Sequence, residues 1–111
     1  MKLQELSPKW LRISKRATRW RYKTVDSIAE ADGIMFLCPV CFVANRGSRG
    51  THVVICWRPQ VSQNETPRPG RWEFQGSGFA DLTLVAGSSS VQLKGGCNAH
   101  FFVRAGEIVG A

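Results

Sequence analysis

Hydrophobic and polar residues alternate over short stretches along most of the chain, as is typical of β-strands. Residues 19–25 alternate with a period of two, which predicts a strand with Trp20, Tyr22 and Thr24 on one face. Further short strands are predicted over residues 34–37, 51–57, 71–74, 82–86, 89–93, 99–104 and 108–109. Glycines separate several of these stretches. The pattern therefore predicts a mainly β fold built from antiparallel hairpins.

Two segments interrupt the β pattern. Ser27 and Glu30 have the spacing of a capping box, and Gly33 suits the residue after a helix end, so one short helix is predicted between them. Residues 58–70 carry three prolines among polar residues, which predicts a long surface loop. The predicted architecture is a small single-domain antiparallel sheet of short hairpins with one short helix.

The positive charge of the chain is concentrated at its N-terminus. The 111 residues carry a net charge of +7, and residues 1–23 account for all of it, with eight basic residues against one acidic residue. We therefore predict a basic N-terminal arm over residues 1–18 and a β domain over residues 19–111. The arm suits an acidic partner, and the balanced charge of the remainder argues against nucleic acid as a partner.

Neither a secretory signal nor a membrane span is predicted. The first twenty residues lack an apolar stretch of sufficient length, and the longest apolar run, residues 34–44, is too short to cross a bilayer. These features predict a cytoplasmic protein without a membrane partner. The cysteines would stay reduced there, which favours metal ligation over disulfide formation.

The cysteines predict a structural zinc site. A CPxC motif spans residues 38–41, and two thiolates at this spacing can bind one tetrahedral zinc ion. We predict a site made of every cysteine in the chain: Cys38, Cys41, Cys56 and Cys97. His52 and His100 remain alternatives to Cys56 as the fourth ligand. Four protein ligands leave no open position on the metal, so the zinc would stabilise the fold rather than catalyse a reaction.

A second candidate site lies in the predicted hairpin between Ser90 and His100. A turn centred on Gly95 sets these two residues opposite each other and gives Cys97 the opposite parity, which tends to separate Cys97 from His100. A hydroxyl facing an imidazole supplies a nucleophile and its general base. Spacing alone leaves a polar turn as the alternative, and three residues remain candidates for orienting the imidazole: Asp81, Glu73 and His52.

Taken together, the motifs resemble a family of small phage and bacterial zinc-cysteine proteins of formerly unknown function. The family is marked by CPxC, Ser-Pro-Ser-Val and CxxHFF motifs, and it includes the serine peptidases of bacterial ubiquitin-like conjugation operons. The resemblance covers roughly residues 33–110 and rests on residues 36–41, 50–52, 70–72, 81–83, 88–91 and 97–102.

This resemblance implies a zinc-stabilised serine peptidase that processes or deconjugates a ubiquitin-like protein or its peptide tail. Ser90 matches the family's nucleophilic serine and His100 its histidine, while the metal cysteines match Cys38, Cys41 and Cys97. The chain departs from the family at Ser89, which replaces a proline and loosens the turn before the nucleophile. The alternative function is a non-catalytic zinc-binding interaction module, such as a phage accessory protein.

Overall fold

Short antiparallel strands make up most of the fold, as the sequence predicts. The structure is a computed structural model that describes residues 1–14, 22–68, 70–86, 90–93 and 96–110. Within these ranges the strands are β1 (Lys9–Ile13), β2 (Tyr22–Val25), β3 (Gly33–Leu37), β4 (Val53–Trp57), β5 (Glu73–Gln75), β6 (Thr83–Val85), β7 (Ser90–Gln92), β8 (His100–Arg104) and β9 (Glu107–Gly110). One α-helix, α1 (Pro39–Asn45), follows β3. None of the helices in these ranges is long and apolar enough to cross a membrane.

The largest sheet has four strands in the order β2-β1-β3-β4. One of its faces carries Ile34, Phe36 and Val54 into the main core, where all three are buried. The opposite face carries Leu11 and Trp57 into a smaller apolar cluster. Burial on both faces explains why the strands of this sheet contain long apolar runs as well as alternating stretches.

A three-stranded sheet, in the order β7-β8-β9, packs against the main core. Its inward residues are Val91, Phe101 and Val103, and the ring of Phe101 meets that of Phe36 edge to face at 6.0 Å. A two-stranded sheet of β5 and β6 completes the fold. Among the described residues, β4 and β7 are each the last strand of their sheet, so each presents one edge that no described strand covers.

Residues 1–14 belong to the folded domain rather than to a separate arm. Leu3 and Leu6 form a short 3₁₀ turn and have no exposed surface, and β1 pairs with both β2 and β3. The predicted boundary at residue 18 therefore does not separate an appendage from the domain, because the apolar residues of the segment anchor it in the core. Residues 15–21, including Trp20, lie outside the described residues.

The helical segments also differ from the prediction. The segment after Ser27 forms only a three-residue 3₁₀ turn, Ile28–Glu30, and Ser27 makes no side-chain cap. The α-helix begins instead inside the CPxC motif, at Pro39, and continues to Asn45, after which Arg46 adopts the left-handed conformation. Proline suits the first helical turn because its missing N–H would have no partner there.

The loop predicted between residues 58 and 70 is held by Arg71. The Arg71 guanidinium donates hydrogen bonds of 2.6–3.1 Å to five backbone carbonyls, those of Val61, Ser62, Glu65, Pro67 and Gly70. The indole of Trp57 adds a bond of 2.9 Å to the carbonyl of Thr66. The loop is thus fixed around one cation rather than loosely exposed.

Candidate metal centre and adjoining groove

Four side chains of metal-ligating type meet at one end of β4. Their ligand atoms all lie within 4.8 Å of one another, and they belong to Cys38, Cys41, His52 and Cys97. Three segments that are distant in sequence therefore converge on one point. Such a group of three thiols and one imidazole is consistent with a structural metal site.

Local structure places each of these ligands. Cys38 follows β3, and its N–H donates to the carbonyl of His52 at 2.9 Å, which aligns the segments before α1 and β4. The turn into α1 at Pro39 then brings Cys41 back toward Cys38. Cys97 lies at the tip of the β7–β8 hairpin, between two residues of positive φ, Gly96 and Asn98.

Two of the spacings between ligand atoms fit a tetrahedral zinc ion. Two sulfurs bound to one zinc at about 2.3 Å lie roughly 3.8 Å apart, and the Sγ atoms of Cys38 and Cys97 are 3.7 Å apart. Nε2 of His52 lies 3.3 Å from Sγ of Cys97, while Nδ1 donates to the carbonyl of Val53 at 3.2 Å. That bond fixes the tautomer that leaves Nε2 free to bind a metal.

The thiols and the imidazole shift one another's protonation. The pKa of Cys97 is lowered to about 7, chiefly because the His52 ring bonds its sulfur, and the same bond raises the pKa of His52. Burial and the neighbouring sulfurs raise the pKa of Cys41 to about 11. Binding a cation would favour the deprotonated form of all three thiols, so metal binding would release protons.

The structure brings together three of the four predicted cysteines, and His52 takes the place of Cys56. Cys56 lies opposite Ile34, fully buried in the main core, and this burial raises the pKa of its thiol well above the ordinary value. His100, the other alternative, is exposed at the start of β8 and does not belong to the group. The four-cysteine set therefore needs correction at its fourth member.

The observed pairing of β7 with β8 differs from the prediction that Ser90 lies directly opposite His100. Ser90 pairs with Phe102, and His100 pairs with Gln92, so the register differs from the predicted one by two residues. A shift of two keeps Ser90 and His100 on the same face, but as diagonal neighbours with Cα atoms roughly 7–8 Å apart. The reason is a longer hairpin loop, which the bond from Leu93 N–H to the Ala99 carbonyl closes.

The residues considered for orienting His100 are placed elsewhere. Asp81 accepts hydrogen bonds from the backbone N–H groups of Ser77 and Gly78, both at 2.9 Å, and these bonds lower the pKa of its carboxyl. Glu73 is exposed on β5, in a different sheet from His100. His52 belongs to the metal centre.

A groove of about 920 Å³ adjoins the metal centre and was not predicted from the sequence. β4 contributes Val53–Ile55 to its lining, and β7 contributes Ser90–Gln92. Cys41, His52 and Cys97 line it at one end, and Pro67, Arg68, Gly70 and Trp72 also line it. The groove therefore lies between the uncovered edges of two different sheets.

The hydrogen-bond parity of β4 shows which backbone groups face the groove. Residues 38 and 52 form a hydrogen-bonded pair, as do residues 32 and 58, so residues 54 and 56 also direct their amides toward β3. Val53 and Ile55 must then direct theirs toward the outer edge. The carbonyl of Trp57, which has the same parity, accepts a bond from the N–H of Trp72 at 3.0 Å.

β7 presents its outer edge in the same way. Leu93 and Ala99 form a hydrogen-bonded pair, so Val91 directs its amide groups toward β8 while Ser90 and Gln92 direct theirs outward. The carbonyl of Ser90 accepts a bond of 3.3 Å from the indole N–H of Trp72. Trp72 thus connects the two edges and closes the end of the groove away from the metal centre.

Comparisons with known proteins identify no relative. The chain matches no protein-family model, no curated protein and no solved structure. The resemblance drawn from the sequence motifs therefore stays a prediction, and functional argument rests on the chemistry of the metal centre and the groove.

Proposed function

We propose that this protein is a zinc-stabilised module that binds an extended polypeptide segment in the groove between β4 and β7. One observation carries the proposal: two sheet edges direct backbone amide groups into one groove. An extended peptide can add to an exposed edge through main-chain hydrogen bonds. Here a peptide has an edge on either side, so each row of its amide groups would face one strand. The carbonyls of Val53 and Ser90 already accept bonds from His52 and Trp72, so the bound chain would pair with the other outward amide groups.

The groove has the size and lining that such a segment needs. β4 lines it with Val53–Ile55, and three residues at a rise of ~3.3 Å each span about 10 Å, enough for about three residues of extended chain. Val53 and Ile55 offer apolar contacts for side chains that alternate along the bound strand. Main-chain bonds would supply affinity, and these contacts would supply selectivity.

Zinc is the metal we propose for the Cys3His group. Three thiolates and one imidazole are typical zinc ligands, and four protein ligands indicate a structural role. The metal would hold His52, at the start of β4, against Cys97, at the tip of the β7–β8 hairpin. It would thereby fix the distance between both walls of the groove. Reduced thiols are required, which suits a cytoplasmic location.

Strand addition can be tested with peptides and proline variants. Immobilised zinc-loaded protein is incubated with a synthetic library of random hexapeptides, and bound peptides are quantified by mass spectrometry. Gln92→Pro removes an outward N–H that β8 does not use, so capture should fall at least ~10-fold. Gln92→Ala keeps that N–H and should retain capture.

A folding control accompanies this comparison. Ile55→Pro and Ile55→Ala repeat the test on β4, and thermal unfolding confirms that each variant is folded. Loss of capture in both folded proline variants supports the proposal. Equal capture by the folded proline and alanine variants at both positions overturns it.

A second candidate function is hydrolysis at Ser90. Ser90 lines the groove and lies on the same face as His100, which supports the peptidase implied by the family resemblance. In that reaction Oγ of Ser90 would attack a peptide carbonyl while His100 accepts its proton and passes it to the departing amine. Water would then hydrolyse the acyl-serine ester and release the acid. The substrate would be the tail of a ubiquitin-like protein.

Serine reactivity distinguishes the two candidates. A fluorophosphonate probe should label the wild type at Ser90 if the hydroxyl is activated, and Ser90→Ala should abolish both labelling and cleavage of a ubiquitin-like precursor. Labelling that is absent in the wild type, with peptide capture intact, overturns hydrolysis and leaves the binding module.

A further inference from the structure

We propose that the groove binds the free C-terminus of its polypeptide ligand, with the terminal carboxylate at Arg68. The inference rests on the proposed binding of an extended segment. It adds the direction of that segment and the chemical group at its end.

The position of Trp72 supports a chain end at this point. Its backbone N–H bonds to the carbonyl of Trp57 on β4, and its indole N–H bonds to the carbonyl of Ser90 on β7. A peptide running between the two edges would meet the side chain of Trp72 between them. The bound strand must therefore turn away or end here, and a chain terminus fits without a turn.

Charge selects which terminus this is. Among the described residues that line the groove, Arg68 is the only Lys, Arg, Asp or Glu. A guanidinium favours a carboxylate, which it can bind through two parallel N–H groups, and it disfavours an N-terminal ammonium. At the far end, three thiolates exceed the charge of one divalent ion, so the metal centre also disfavours a carboxylate.

The guanidinium of Arg68 can donate hydrogen bonds to a ligand, and Arg71 holds the neighbouring backbone at Pro67 and Gly70. Within the described residues the Arg68 guanidinium makes one long hydrogen bond, of 3.4 Å, to the carbonyl of Gln63. Its backbone lies between Pro67 and Gly70, whose carbonyls both accept bonds of 2.8 Å from the same nitrogen of Arg71. Holding the segment in advance lowers the entropy lost when a ligand binds.

The direction of the bound strand follows from these positions. β4 runs from His52 at the metal centre toward Trp57, and β7 runs from the Trp72 end toward Cys97. A ligand with its carboxylate at Arg68 would run parallel to β4 and antiparallel to β7. Its last residues would lie beside Ser90.

Two peptide libraries test this assignment. Both contain random N-acetylated hexapeptides, one with a free C-terminal carboxylate and one with a C-terminal amide, and the zinc-loaded full chain is used. The wild type should capture the free acids about 10-fold better, because one charge-assisted contact is at stake. Arg68→Gln should abolish the preference, and Arg68→Lys should retain part of it.

Arg12→Gln is the matched control. It makes the same charge change on the exposed side of β1, which β3 separates from β4, so the preference for free acids should remain. Equal capture of acids and amides by the wild type, or a preference that survives Arg68→Gln, overturns the carboxylate assignment alone. Capture of neither library overturns the binding groove itself and the assignment with it.

Discussion

The two ends of the groove are fixed by opposite chemistry. At the metal end, three thiols and an imidazole converge on a point where a metal ion could bind. At the other end, the cation is part of the chain, since Arg71 gathers five backbone carbonyls around its guanidinium. Arg71 holds its loop by surrounding positive charge with acceptors, and a bound metal ion would hold the other end in the same way. Only the metal end would take its cation from solution.

The two ends of the groove also differ in how far apart in sequence their contacting residues lie. The metal centre joins residues 38, 41, 52 and 97, which come from three segments of the fold. The five residues whose carbonyls bond to Arg71 all lie within ten positions of it in the sequence. Local contacts cost little loop-closure entropy, whereas the distant ones of the metal centre cost more. A metal–ligand interaction would therefore stabilise the end at which loop closure costs the chain most.

Removing the metal should have the largest effect. At a free zinc concentration ~1,000 times the dissociation constant, binding contributes about 4 kcal/mol to the free energy of unfolding. A chelator should remove this contribution and added zinc should restore it, as followed by thermal unfolding. An unfolding midpoint that the chelator leaves unchanged would contradict this prediction, because the fold would then depend on metal at neither end of the groove.

The fourth ligand gives the next largest effect. His52→Ala should weaken zinc binding by at least ~100-fold. This effect exceeds that of removing a residue that only hydrogen-bonds to a metal ligand. Cys56→Ala should leave one zinc per chain, because Cys56 lies in the core opposite Ile34. Competition with a chromogenic chelator measures both affinities. The reverse ranking would restore the four-cysteine site predicted from the sequence.

Arg71→Lys should have a smaller effect, confined to the loop end. An ammonium cannot reach five carbonyls arranged around a planar guanidinium, so we expect a loss of about 2 kcal/mol in the free energy of unfolding, with zinc affinity unchanged. Arg68→Gln is the control in the same loop, with an expected change within ~0.5 kcal/mol. Urea unfolding measures both. A matching loss in Arg68→Gln would show that the stability of the loop does not depend specifically on the hydrogen bonds of Arg71.

Local pattern was sufficient to predict strands that are rich in β-branched and aromatic residues. Residues 51–57 and 99–104 were predicted close to the observed β4 and β8. β1 was missed because Trp10 and Leu11 are consecutive and both buried, one on each face of the sheet. A strand covered on both faces loses the alternation that identifies strands from sequence.

The site residues were harder to predict because they depend on register. The sequence supplies the ligand types, but only the pairing of β3 with β4 sets His52 beside Cys38 and carries Cys56 four residues further, about 13 Å along the strand. Likewise, the left-handed Gly96 and Asn98 move the centre of the hairpin by one residue, which offsets Ser90 from His100 by two. The groove depends on two separate sheets, so no local pattern could reveal it.

The turn around Asp81 provides a reference for these stability measurements, because its hydrogen bonds involve no residue from either end of the groove. Asp81→Asn should lower stability at neutral pH by less than Arg71→Lys does, and it should leave zinc affinity unchanged. The reason is that the carboxylate accepts bonds from the N–H groups of Ser77 and Gly78 and from the Ser77 hydroxyl. The asparagine side chain lacks the negative charge that strengthens these bonds.

The sign of the pH dependence follows from the lowered pKa of Asp81 in the folded chain. A carboxyl with a lowered folded pKa stabilises the fold above its ordinary pKa, near 4, and this contribution disappears as the pH falls through the folded value. Urea unfolding of both proteins at pH 7, 5 and 3 should show the difference shrinking toward pH 3. Zinc release on acidification affects both proteins equally, so it cancels from this difference. A difference that stayed constant from pH 7 to pH 3 would show that the turn depends on shape rather than charge, unlike either end of the groove.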